Sequence, residues 1–109
     1  MPSKPETRLV NRIMPRIRRI AGTWFENIQQ VAIRGTPDQL GLISGRFAAL
    51  EFKYGHGKTT ELQQHKLGLI EKAGGIALVV NEKNAEEVID QFTNIKHCTH
   101  CGAALWTKK

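Results

Sequence analysis

The stretch Phe47-Ala48-Ala49-Leu50-Glu51-Phe52-Lys53 is the one whose reading decides the fold. It has the apolar character of a strand. Side chains alternate along a strand, so Leu50 and Phe52 point to one side and Glu51 and Lys53 to the other. A carboxylate and an ammonium on an otherwise apolar central strand are costly unless they are paired or put to use. Just ahead, Gly45-Arg46 reads as a two-residue hairpin turn, which makes residues 40–44 the antiparallel partner. Asp38 follows Pro37 at the start of that partner, and the hairpin brings it beside Glu51. Two carboxylates converging on one point repel unless a cation sits between them. Oxygen donors of this kind favour Mg²⁺ or Mn²⁺, with Lys53 near the metal and a bound phosphate.

Outward from this hairpin, the chain alternates helical and strand patterns. Leu9, Ile13, Ile17 and Ile20 recur at helical spacing, opened by a capping box from Ser3 to Glu6 and closed by Gly22. Pro15 is expected to kink or split that helix. Residues 23–29 are short, aromatic and strand-like. Tyr54-Gly55-His56-Gly57-Lys58 is a glycine-rich loop. Thr60 can cap a helix with Leu62, Leu67, Leu69, Ile70 and Ala73 as its apolar positions, ended by Gly74-Gly75. Residues 76–80 form an apolar run suited to a strand buried on both faces. Asn84 to Glu87 reads as a second capping box, opening a helix with Ala85, Val88, Ile89 and Phe92 inward. The expected fold is an α/β domain, a central mixed sheet flanked by helices in the order α-β-β-β-α-β-α.

Charge points to a partner. The chain of 109 residues carries a net charge of +6, unevenly placed. Lys4, Arg8, Arg12, Arg16, Arg18 and Arg19 crowd the first helix against the single acid Glu6, whereas Glu82, Glu86, Glu87 and Asp90 cluster later. A basic face suits a polyanion because it displaces counterions from phosphates; a solvated basic helix explains the same residues. Lys58, in the glycine-rich loop, joins these residues as a candidate polyanion contact. No window is long and apolar enough for a membrane span, and the N-terminal residues lack a secretory pattern, so the expected location is the cytoplasm.

Gly35-Thr36-Pro37-Asp38 followed by Glu51-Phe52-Lys53 resembles the signature of the PD-(D/E)xK nucleases. The longer string from Gly35 to Val80 is similar to the stand-alone phage and bacterial members of the virus-type replication-repair nuclease (VRR-NUC) family. There, the lysine strand precedes a helix bearing Thr-x-x-Gln, then a Gly-Gly and a buried strand; Thr60, Gln63, Gly74 and Gly75 stand at that spacing. The resemblance covers about residues 5–92. It implies a metal-dependent endonuclease with Asp38, Glu51 and the Phe52 carbonyl on the metal. Lys53 would orient or deprotonate the attacking water, or stabilise charge at phosphorus. It further implies Gln63, rather than the neighbouring Gln64, as a positioning group. Glu6 stands where the family places a glutamate in the first helix, as a further carboxylate at the metal; a helix-capping role explains it equally. Four-way DNA junctions are the implied substrate class, and two symmetric cuts need a homodimer. A restriction- or flap-type nuclease, or a non-catalytic DNA-binding adaptor, are the other readings.

Residues 1–95 form the expected nuclease domain and residues 96–109 a tail. The tail contains His97-Cys98-Thr99-His100-Cys101-Gly102, a C-x-x-C-G knuckle of the sort found in zinc half-sites. Zinc takes four ligands, and Cys98 and Cys101 supply two. Zn²⁺ shared across a dimer and a pair of free thiols both fit; His56 and His65 are further candidate ligands.

Overall fold

The computed structural model describes residues 4–28, 35–102 and 104–106. Ser3, expected to cap the first helix, and Gln29, the last residue expected in the first strand, lie outside them. The chain runs α1 (Pro5–Arg18), β1 (Thr23–Asn27), β2 (Gln39–Ile43), β3 (Arg46–Phe52), α2 (Glu61–Lys72), β4 (Ile76–Val80), α3 (Ala85–Thr93), then a small hairpin of β5 (Lys96–His97) and β6 (Ala104–Leu105). The main sheet has the order β1-β2-β3-β4. Its first three strands are antiparallel neighbours, and β4 lies parallel to β3, which is why a helix must cross between them.

The two faces of β3 are covered differently. Ala48, Leu50 and Phe52 point into the main core with Leu9, Ile13 and Ile17 of α1 and Val88, Ile89 and Phe92 of α3. Ala49 points the other way, onto Leu67 of α2 and Ala77 of β4. Glu51 and Lys53 lie on this second face by alternation. The sheet is therefore a middle layer, with α1 and α3 on one side and α2 on the other.

Several local expectations are corrected. Pro15 does not split α1, which is one continuous helix; buried Ile13, Met14 and Ile17 hold both sides of the proline against the sheet. The hairpin turn is Ser44-Gly45 rather than Gly45-Arg46. Both residues have positive φ, 48° and 84°, the geometry that joins antiparallel strands tightly, and Ile43 pairs with Arg46. Asn84 does not cap α3 with its side chain. Its amide instead accepts from the Asn81 N–H at 2.8 Å and donates to the Val79 carbonyl at 2.9 Å, closing the turn that leaves β4. In α2, Leu62 and Leu69 are exposed, and only Leu67 is buried. Leu78 and Val79 are half-buried because β4 is an edge strand.

Candidate active site

Asp38 and Glu51 face each other across the β2–β3 ladder: Gln39 pairs with Leu50, so the next residues outward are opposite. Asp38 is held from both sides. Its carbonyl accepts the Ile28 N–H at 2.8 Å, extending the β1–β2 pairing, and its Oδ2 accepts the Phe52 N–H at 3.2 Å. Glu51 is only 2% exposed, and its Oε1 has no hydrogen-bond partner. Lys53 continues β3 on the same face, its N–H donating to the Val80 carbonyl at 3.0 Å and its side chain half-buried.

Burial, the Asp38 carboxyl beside it and the Asp38 charge push the Glu51 carboxyl up to about 8; Lys53 opposes this and Glu6 adds to it. Three of the residues singled out in the sequence, Asp38, Lys53 and Glu6, thus act electrostatically on a fourth, Glu51. Glu6 arrives from the first turn of α1, on the far side of the sheet from α2. The cap position of α1 is Lys4, with no side-chain cap hydrogen bond.

Gln63 is engaged differently. Thr60 and Gln63 form a capping box at the start of α2: Gln63 N–H donates to Thr60 Oγ1 at 3.1 Å, and Thr60 N–H donates to Gln63 Oε1 at 2.9 Å. The oxygen of the Gln63 amide is committed, which leaves its NH₂ for any contact at the site. Gln64 is exposed and donates to Thr59 Oγ1 at 2.8 Å.

The donor set suits a hard divalent cation. A buried carboxylate with an orphaned oxygen, opposite a second carboxylate, gains from a positive charge that both can share. Among the described residues, no group of three or more His, Cys, Asp and Glu side chains stands ready to hold a metal. A cation bound by Asp38 and Glu51 would complete its shell with backbone carbonyl and water oxygens, as Mg²⁺ commonly does.

The basic residues divide along α1. Arg8 and Arg12 line a groove of about 280 Å³ with Pro5, Leu9, Tyr54 and Glu82, at the end of the helix that carries Glu6. Arg16 is instead bound to Glu86 of α3 through two contacts of 2.6 and 2.8 Å, so part of the basic helix serves helix packing. Arg18 and Arg19 are exposed at the opposite end, and Lys58 is exposed in the loop after Lys53. That loop is tied down by Glu82, whose Oε2 accepts the Gly55 N–H at 2.9 Å. Tyr54 and Glu82 figure in the sequence only as members of a loop and of an acidic cluster, not as residues of the site. Tyr54 stands directly after Lys53, which is the one signal that could have marked it; Glu82, 27 positions beyond Gly55, offers none.

No family model matches the chain, and neither a curated protein nor a solved structure matches it.

Proposed function

We propose that this chain is a metal-dependent DNA endonuclease of the PD-(D/E)xK type, of the VRR-NUC kind, acting on branched DNA as a homodimer. The observation that carries the reading is Glu51: a carboxyl 2% exposed, with an unpartnered oxygen, directly opposite Asp38 and two residues from Lys53. A fold has little structural use for such a pair, and the cost of burying it favours a functional explanation.

Asp38 and Glu51 would hold Mg²⁺ or Mn²⁺, with the Phe52 carbonyl as the adjacent oxygen donor. The cation would supply charge for the phosphoryl oxygens and acidify a bound water. The chain's own residues do the rest. The backbone pairing of β2 with β3 fixes the separation of the two carboxylates before substrate arrives. Lys53 presents an ammonium on the same face, where it can orient the attacking water or offset charge growing at phosphorus. Arg8 and Arg12, beside Tyr54, offer a path for the phosphate backbone.

The test is to incubate the chain with Mg²⁺ and a panel of duplex, flap and four-way-junction DNAs and map the products. Paired symmetric cuts in the junction are expected. Cleavage of flaps alone would move the reading to a flap-type enzyme, and no cleavage with either Mg²⁺ or Mn²⁺ would leave a DNA-binding adaptor.

A further inference from the structure

The residues after α3 do not trail away. Ala104 is buried in the main core, and Trp106 packs against Phe92 with ring centroids 5.5 Å apart. Arg46, at the start of β3, donates from Nε to the Gly74 carbonyl at 2.8 Å. Its Nη1 reaches the carbonyls of Ala104 at 3.3 Å and Trp106 at 3.4 Å. His97 Nε2 lies 2.7 Å from Ser44 Oγ in the β2–β3 turn. One guanidinium, one indole and one imidazole thus fix the β5–β6 hairpin to the body, and the turn that projects from it carries Cys98 and Cys101.

That turn is shaped around sulfur. Gly102 N–H closes it onto the Cys98 carbonyl at 2.8 Å, with Gly102 at φ 79°, a conformation that other residues adopt only with strain. Both cysteines are free, Cys101 is exposed, and Cys98 is half-buried. The neighbouring Leu105 is 53% exposed, an apolar side chain left open beside the knuckle.

Two thiols make half of a tetrahedral zinc site. Among the described residues, no third His, Cys, Asp or Glu joins them in a group that could hold a metal. His97 is occupied with Ser44. We propose that Cys98 and Cys101 bind one Zn²⁺ together with the same two cysteines of a second copy of this chain, a tetrathiolate centre on a two-fold axis. Each of the four thiols loses its proton to solvent on binding, so one Zn²⁺ displaces four protons and the centre is left doubly negative. Lys96, next to the knuckle, and the net charge of +6 on each chain suit that charge.

The proposal does not rest on the nuclease reading, because its readouts are metal content and mass. The full chain is purified after growth with Zn²⁺, and elemental analysis is combined with light scattering. One zinc per two chains is expected, in a species of twice the chain mass. Cys98→Ser and Cys101→Ser should each abolish zinc retention while leaving the far-ultraviolet circular dichroism unchanged, since both side chains lie on a projecting turn. Replacement by Co²⁺ should give the intense visible bands of tetrahedral cobalt and the near-ultraviolet charge transfer of thiolate ligation. One zinc in a monomer, zinc kept by either serine variant, or no zinc retained by the parent chain would each overturn the shared site.

Discussion

The molecule carries two pairs of prospective ligands, and they are built in opposite ways. Asp38 and Glu51 are set by strand pairing inside the sheet, and Glu51 has lost its water before any cation arrives. Cys98 and Cys101 stand on a projecting turn, and backbone N–H groups already favour the thiolate of Cys98. Burial thus raises one acid and hydrogen bonding lowers the other. The first pair stores an unfavourable arrangement that a cation would relieve; the second is an open half-site that needs a partner to close it. A site of the first kind costs stability when empty, and a site of the second kind does not.

The largest expected effect tests the first half of this contrast. Glu51→Gln, Asp38→Asn and Lys53→Ala should each lower metal-dependent DNA cleavage by at least about a hundredfold, with DNA binding largely kept. Gel-based cleavage and binding assays on the same preparations separate the two properties. Full cleavage by any one of the three would remove that residue from the site.

The stored cost has its own signature in pH. Glu51 titrates near 8 in the fold and in the ordinary carboxyl range when unfolded. Below that ordinary range both states are protonated, and the stabilising preference for the protonated form is fully present. As pH rises toward 8, the unfolded chain sheds its proton while the folded one resists. That stability is therefore lost through the window and gone above it. The metal-free protein should be less stable at pH 8 than at pH 5 through this group. Glu51→Gln should recover at least about 2 kcal/mol at pH 8 and little at pH 5, read by urea unfolding. Mn²⁺ should raise the parent's melting temperature at pH 8 and leave the Gln variant unmoved.

These differences also explain what could be read from the sequence. The alternation of Leu50 and Phe52 against Glu51 and Lys53 follows from strand geometry, so the face of each residue was legible without a structure. The opposition of Asp38 and Glu51 was legible as well, even though the turn was misplaced. The structure's Ser44-Gly45 loop is still two residues long, and moving it by one position changes the register while keeping both carboxylates near the same end of the strands. The capping of α3 was not legible, because an asparagine amide can bind a helix end or a preceding turn, and Asn84 serves the turn. Nor was the anchoring of the hairpin. Arg46 meets Ala104 and Trp106 from 58 and 60 positions away, and no local pattern announces such a contact.

Arg46 ties the tail to the sheet. Arg46→Ala removes three hydrogen bonds to carbonyls, at a cost of about 1–3 kcal/mol. Its consequence should be local: faster proteolysis within residues 96–106, with metal-dependent cleavage changed by no more than about threefold, under 1 kcal/mol of barrier. Equal loss in both readouts would mean that the hairpin supports the carboxylate site after all.

The smallest effect concerns the two ends of α1. Lysine and arginine contacts to phosphate release counterions, so each one lost flattens the plot of log affinity against log salt by about one unit. Arg8 and Arg12 line the groove beside Tyr54, at the end of the helix that also brings Glu6 toward Glu51. Arg18 and Arg19 lie just under two turns beyond Arg12, and Arg16 between them is bound to Glu86. A DNA strand laid along the carboxylate site meets the first pair before the second. Arg8→Ala with Arg12→Ala should therefore flatten the salt dependence by between one and two units, measured by fluorescence anisotropy on a junction substrate. Arg18→Ala with Arg19→Ala should flatten it by less than one. The reverse ranking would place the DNA path across the far end of α1 and separate phosphate binding from the Asp38–Glu51 pair.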